Sequence, residues 1–276
     1  MKRMDKQATK AISKGFFYLM LSGALLPLLV YPQEIKLIDF GSHFDEYGVE
    51  GCFVLFDQAN DFFICHNPER CDSGYLPAST FKIPNSVIAL EERVITGTNQ
   101  IFRWDGREWP NKIWNQDQTL RSAIRHSCIW VFFSIAEKVG TEKYVQYLNA
   151  FNYGNMNPGG PPTKFWLVGD LRISAFQQLE FLRKFFCNEL KVSKESIDIV
   201  KDIIILEKAE NYRLSGKTGG AEISENEYIM WLIGYLELDS DVYFYALNFT
   251  TDDFSETRNA RLDLTRSILK QIRLLE

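Results

Sequence analysis

From Gly51 the chain carries two short apolar runs, GCFVLFD (51–57) and DFFICH (61–66), joined by the polar Gln58-Ala59-Asn60. Strand-length runs of aromatic and branched residues around a short polar connection predict a β-hairpin. From about Pro77 to Leu190 the spacing becomes helical. Ile83, Val87 and Leu90 share one face; Leu120, Ala123 and Ile124, then Phe132, Ile135, Ala136 and Val139, repeat the pattern. Gly140 reads as a helix stop. Ser174-Ala175-Phe176-Gln177 reads as a capping box opening a helix through Phe186. Residues 193–206 predict one further helix. Three strand-like runs follow: RLSGKTGG, YIMWLIGYLEL and DVYFYALNFT. The tight polar connection from Glu237 to Asp241 makes the last two an antiparallel hairpin. SETRNARLDLTRSILKQIRLLE ends the chain as a long helix with Leu264, Ile268 and Ile272 on one stripe.

A helical block is thus inserted between the first strands and the last. The expected fold class is α+β, with one antiparallel sheet built from both ends of the chain and flanked by helices. The sheet part is about 33–76 and 191–276, and the inserted helical part about 77–190. There are no internal repeats. The loop MNPGGPPTK (156–164) is expected to shape a site rather than to separate domains.

The first 30 residues have another character. Lys2, Arg3, Lys6, Lys10 and Lys14 precede an apolar run over residues 15–30, the plan of a secretory signal. The run is short for a spanning helix, which needs roughly 20 apolar residues. Residues 1–32 are read as a signal peptide without a defined cleavage site, and an uncleaved anchor is the competing reading. The mature chain is expected to be soluble and periplasmic or secreted, with no stable membrane insertion. With 276 residues, 46% of them hydrophobic, it can bury a large core. A net charge of -5 and the lack of a basic patch argue against a nucleic-acid partner.

Cys52, Cys65 and Cys71 fall close together, and an exported chain can oxidise them. One bridge is expected among them, with Cys52–Cys71 the preferred pair. Cys128 and Cys187 lie in apolar helical contexts and are expected to be buried free thiols. His43, His66 and His126 are too scattered for a metal site, and none is expected.

Two segments carry candidate chemistry. Ser79-Thr80-Phe81-Lys82 puts a hydroxyl and an amine on one face of a first helical turn. A serine needs a base to become a nucleophile, and a lysine can serve only if neutral or modified. Burial against Phe81 and Ile83 would lower its pKa. The N–H of Ser79 at a helix start could also bind a developing oxyanion. The second segment, Lys217-Thr218-Gly219-Gly220, sits in a strand-like run. There the Gly220 N–H could be a second oxyanion donor while Lys217 and Thr218 face a carboxylate. S-x-x-K followed by K-T-G is the pairing of serine β-lactamases and penicillin-binding proteins.

The chain resembles the class D serine β-lactamases, the oxacillinases, from about Gly51 to Gln271. The resemblance rests on LPASTFKIPNS (76–86), FRWDG (102–106), WNQDQTL (114–120), Ser127-Cys128-Ile129, Tyr153-Gly154-Asn155, FWLVGDLRISA (165–175), Lys217-Thr218-Gly219, and Arg261. It implies a β-lactamase/transpeptidase-like catalytic domain over residues 33–276. It implies that Ser79 attacks the β-lactam carbonyl, and that Lys82 is carboxylated by CO2 to N6-carboxylysine and acts as general base. No other cofactor is implied. Trp166 would donate its indole N–H to the carbamate. Ser127 would relay a proton to the leaving nitrogen, supported by Lys217. Thr218 and Arg261 would hold the substrate carboxylate, and Ser79 and Gly220 would form the oxyanion hole. Tyr153 and Asn155 would support the site wall.

Two departures from the family pattern matter. Ile129 stands where valine is usual, and with Leu167 it should cover the carbamate. Its extra methylene could crowd the deacylating water or shield the base. Gly220 stands where a bulkier side chain is common, so the site is expected to be more open there. The alternative function is a penicillin-binding sensor or transpeptidase-like protein that is acylated but turns over slowly. Full-length sensors carry several membrane segments and a zinc-protease signature, which this chain lacks.

Overall fold

The computed structural model describes residues 34–276, so the expected leader lies outside the described residues. Among the described residues, seven of nine strands form one sheet: β1 (Glu34–Leu37), β2 (Glu50–Asp57), β3 (Phe62–His66), β6 (Ile205–Lys208), β7 (Tyr212–Ser224), β8 (Glu227–Leu238) and β9 (Asp241–Thr251). Their order is β1-β3-β2-β9-β8-β7-β6. β4 (Ile101–Phe102) and β5 (Gln118–Thr119) pair separately. The helices are α1 (Gly41–Asp45), α2 (Pro68–Asp72), α3 (Lys82–Glu91), α4 (Leu120–Arg125), α5 (Ile129–Val139), α6 (Thr141–Phe151), α7 (Phe165–Val168), α8 (Ala175–Phe186), α9 (Lys194–Ile203) and α10 (Ala260–Gln271). The sheet is therefore built from both ends of the chain, with α3–α9 inserted between β3 and β6. Among the described residues no helix is long and apolar enough to cross a membrane.

Alternation along β8 explains why the sheet is covered on both faces. Met230, Leu232 and Leu236 pack with Leu264, Ile268 and Leu269 of α10. Trp231 and Tyr235 point the other way: the Trp231 indole donates to the Leu76 carbonyl, and the Tyr235 ring lies 4.9 Å from Phe186 at the end of α8. A strand buried on both faces reads as a continuous apolar run, as YIMWLIGYLEL does. β8 and β9 join through a two-residue turn in which Asp239 takes a positive φ of 53°.

Several expectations need correction. β1 precedes the first expected strand and pairs parallel with β3, so the sheet is mixed rather than wholly antiparallel. The helix expected over 193–206 stops at Ile203, and Ile205 starts β6, which pairs with β7 across a bulge. No Cys52–Cys71 bridge forms; all five cysteines are free. The β2–β3 register sets Cys65 opposite Val54, and the Cys71 thiol lies 3.6 Å from the Cys65 sulfur and donates to the His66 carbonyl. Each thiol there has a partner without a covalent bond. Cys187 follows the last turn of α8 and is exposed, not buried.

Candidate active site

A turn of 3-10 helix (Ala78–Phe81) runs directly into α3. This puts Ser79 and Lys82 on one side of the junction, with Lys82 Nζ 2.8 Å from Ser79 Oγ. The turn is held by hydroxyl and amide contacts. Thr80 donates to the Pro77 carbonyl (2.6 Å), Gln178 Nε2 donates to Thr80 Oγ1 (3.0 Å), and Ser86 donates to the Lys82 carbonyl (2.7 Å). Ala78, just before the nucleophile, has a φ of 52°. A left-handed L-residue costs roughly 1–2 kcal/mol, and such strain persists where the surroundings over-determine it.

Lys82 is 1% exposed, with its amine 4.9 Å from the centre of the Phe132 ring. Burial among carbon and uncharged groups lowers its pKa to about 7, against a small opposing effect from Cys128. Trp166 in α7 is also 1% exposed and stacks on Phe81 at 5.4 Å. Its indole N–H is buried without an acceptor. Leaving such a donor unpaired costs roughly 1–3 kcal/mol, so this atom marks a place for an acceptor.

Ser127 ends α4. Its N–H bonds the Ile124 carbonyl and the Cys128 N–H bonds the Ala123 carbonyl, while Ser127 has a φ of 51°. This is a Schellman closure, whose left-handed position is usually glycine. A serine there points its hydroxyl at β7, where Lys217 Nζ lies 2.6 Å away. Lys217 also donates to the Thr218 carbonyl and hydroxyl. Its pKa lies well below the usual lysine range, first through burial and then through the charges of Lys82, Arg261 and Arg258.

β7 approaches the nucleophile's turn closely. A Cβ at Gly219 would lie 3.0 Å from the Pro77 carbonyl and from Thr80 Cγ2, which is why glycine follows Lys217-Thr218. Arg261, 6% exposed at the start of α10, donates to the Gly219 carbonyl (2.7 Å) and twice to the Arg258 carbonyl. Burial, then the neighbouring Arg258 charge, lowers its pKa to about 10, which leaves it cationic at neutral pH.

A cleft of about 230 Å³ brings together Ser79, Ser127, Ile129, Leu167, Thr218, Gly220 and Arg261. Buried behind it, Lys82 and Lys217 bond the lining residues Ser79 and Ser127, and the buried Trp166 directly precedes the lining residue Leu167. Tyr153 is fully buried, and Asn155 reaches the Asp170 carbonyl; both brace the wall from outside the cleft. One expectation is overturned. The space beyond Gly220 is not open, because the Phe254 ring fills it: a Cβ on Gly220 would meet Phe254 Cε2 at 2.6 Å. Phe254 and Arg258, from the segment between β9 and α10, and Trp114 and His126 also line the cleft. Trp114 opens the WNQDQTL segment, whereas Phe254, Arg258 and His126 belong to none of the motifs, and no local pattern marks them. A larger cleft of about 810 Å³ near the C-terminus, lined by Glu207, Arg266 and Lys270 among others, holds no comparable serine–lysine pair.

Residues 51–273 match the family model of the penicillin binding protein transpeptidase domain. The β-lactamase OXA-10 of Pseudomonas aeruginosa is 41% identical over 235 residues, covering 84% of this chain and 86% of that protein. A class D β-lactamase from Nostoc, YbXI, superposes with a TM-score of 0.83 at 39% identity, over 86% of this chain and 100% of that one. The chain belongs to the class D serine β-lactamases. It is a serine hydrolase of β-lactams. The C-terminal domain of the Bacillus licheniformis BlaR penicillin-receptor is similar as well, at 32% identity and a TM-score of 0.85 over 89% of this chain and 99% of that one. In this β-lactamase the site lies where the inserted helices meet the sheet.

Proposed function

We propose that the enzyme hydrolyses the β-lactam amide through an acyl-enzyme on Ser79, with Lys82 N-carboxylated as general base. The observation that carries this reading is a fully buried lysine with a pKa of about 7, so half neutral at that pH, together with a buried indole, stacked on the ring of the preceding residue Phe81, whose N–H lacks an acceptor. A neutral amine adds CO2 and a protonated one does not, and the carbamate so formed supplies an anionic base that Trp166 can partner.

The remaining steps fall to the chain's own side chains. Ser79 Oγ loses its proton and attacks the carbonyl carbon. The N–H groups of Ser79 and Gly220 take up the oxyanion. Carbonyl and amide of one trans peptide point opposite ways, so the Gly219 carbonyl held by Arg261 leaves the Gly220 N–H directed away from that arginine. The lactam C–N bond breaks, and the nitrogen takes a proton from Ser127. Lys217, 2.6 Å from that hydroxyl, resupplies it; a depressed pKa suits an amine that exchanges protons near neutrality. Thr218 and Arg261 receive the substrate carboxylate. Water then cleaves the ester and frees Ser79. Ile129 and Leu167 border the space that water must use.

A chromogenic cephalosporin tests the reading. Many turnovers per enzyme are expected; a single stoichiometric burst would instead mean a sensor or transpeptidase-like protein. The basic-then-apolar N-terminus supports export to the periplasm or beyond, which fractionation of expressing cells checks.

A further inference from the structure

The segment between β9 and α10 brings an aromatic ring into the site. Phe254 follows Thr251, the last residue of β9, by three positions, and its ring lies edge-on to Tyr228 at 5.5 Å and 65°. It also lies against Gly220, where any side chain would collide with it. It is 37% exposed and lines the same cleft as Ser79. The ring is thus held on one side and bare on the other.

The order of groups along β7 says what meets the bare side. In a β-lactam the carboxylate is carried next to the ring nitrogen. The scissile carbonyl follows the nitrogen, and the acylamino substituent sits on the carbon beyond it. Thr218 and Arg261 lie at the carboxylate end, and Gly220 at the carbonyl oxygen. The acylamino group must therefore lie past Gly220, toward Glu222. In the β7–β8 register Glu222 is opposite Tyr228, the residue that holds Phe254.

We propose that Phe254 is a specificity-determining residue, whose ring replaces the side chain absent at Gly220 and forms the apolar wall for the acyl group of the substrate. This rests on the hydrolase reading above. It implies a preference for acyl groups that end in a flat apolar ring, which can lie on Phe254.

The test compares benzylpenicillin with 6-aminopenicillanic acid, the same nucleus without an acyl group. The readout is the second-order rate of Ser79 acylation, followed by mass spectrometry. The ratio of the two rates cancels any change in the fraction of folded enzyme. Phe254→Ala is expected to lower this ratio about tenfold, and Phe254→Tyr to preserve it. A second arm adds a side chain on the strand. Gly220→Tyr alone is expected to lose most acylation by benzylpenicillin, and Gly220→Tyr combined with Phe254→Ala to regain it, because one ring then occupies the space of the other. An unchanged ratio in Phe254→Ala, or a double variant no better than Gly220→Tyr alone, overturns the proposal. If the parent chain is acylated by neither compound, the hydrolase reading itself fails; an acylated parent with an unchanged ratio sinks only the role of Phe254.

Discussion

The two walls of the site are built from opposite materials. On the helical side Lys82 and Trp166 are each 1% exposed, and Phe81 and Phe132 surround them with carbon. On the sheet side are hydroxyls, cations and a half-bare ring: Thr218, Arg258, Arg261 and Phe254. Dehydration on the first wall lowers the pKa of the Lys82 amine to about 7. On the second wall charge and shape select the substrate. Ser79 stands between them, and the residue before it, Ala78, and Ser127 across the cleft both take a left-handed φ, of 52° and 51°. The difference teaches that changes on the helical wall should alter rate steps, whereas changes on the sheet wall should alter which substrates enter.

Removing the group shared by both walls has the largest expected effect. Ser79→Ala should lower turnover on the order of 10⁶-fold, as loss of a catalytic nucleophile does. Mass spectrometry should find no penicilloyl adduct; a stable adduct on the variant would show that another residue is the nucleophile. Trp166→Ala breaks the helical wall alone. It should slow deacylation about a hundredfold, the lower range of general-base contributions, and slow acylation less. Acylation needs the base once, whereas turnover needs it again after the carbamate has lost its donor. Added bicarbonate should restore the rate in part; full parental turnover without bicarbonate would remove Trp166 from the account.

The smallest effect sharpens the helical wall. Ile129→Val removes one methylene from a half-buried side chain that borders the space the deacylating water would use. Deacylation should rise a few-fold, with acylation nearly unchanged, for substrates limited by the second step. Pre-steady-state rates separate the steps. Slower deacylation in the variant would mean that the isoleucine shields the base rather than crowding the water.

The helical wall was more legible in the sequence than the sheet wall. Ser79 and Lys82 are three residues apart, and helical geometry alone brings them together. Ser174 and Gln177 form the capping box their spacing implies. Phe254 was not legible: it contacts a glycine 34 positions earlier, from a polar segment with no periodicity. The expectation of an open site beyond Gly220 treated an absent side chain as empty space, and a distant ring fills it. β1 escaped notice because all four of its residues are exposed, so no buried face leaves a hydrophobic pattern. Its place comes from backbone pairing with β3. The misassigned disulfide came from the number of cysteines in a chain expected to be exported, when strand register decides which sulfurs meet.

The central claim is that the dry wall keeps Lys82 neutral enough to bind CO2. Its pKa of about 7 makes the sign definite: the amine is mostly neutral above that value, and below it protonation favours loss of CO2. The most direct measurement is turnover in CO2-depleted buffer below pH 7, repeated as bicarbonate is added back at constant pH. The rate should be low at first and rise to a plateau with bicarbonate, and the requirement should weaken as the pH is raised through 7. A rate indifferent to bicarbonate after depletion at low pH would contradict the carbamate and leave Lys82 to act as a plain amine.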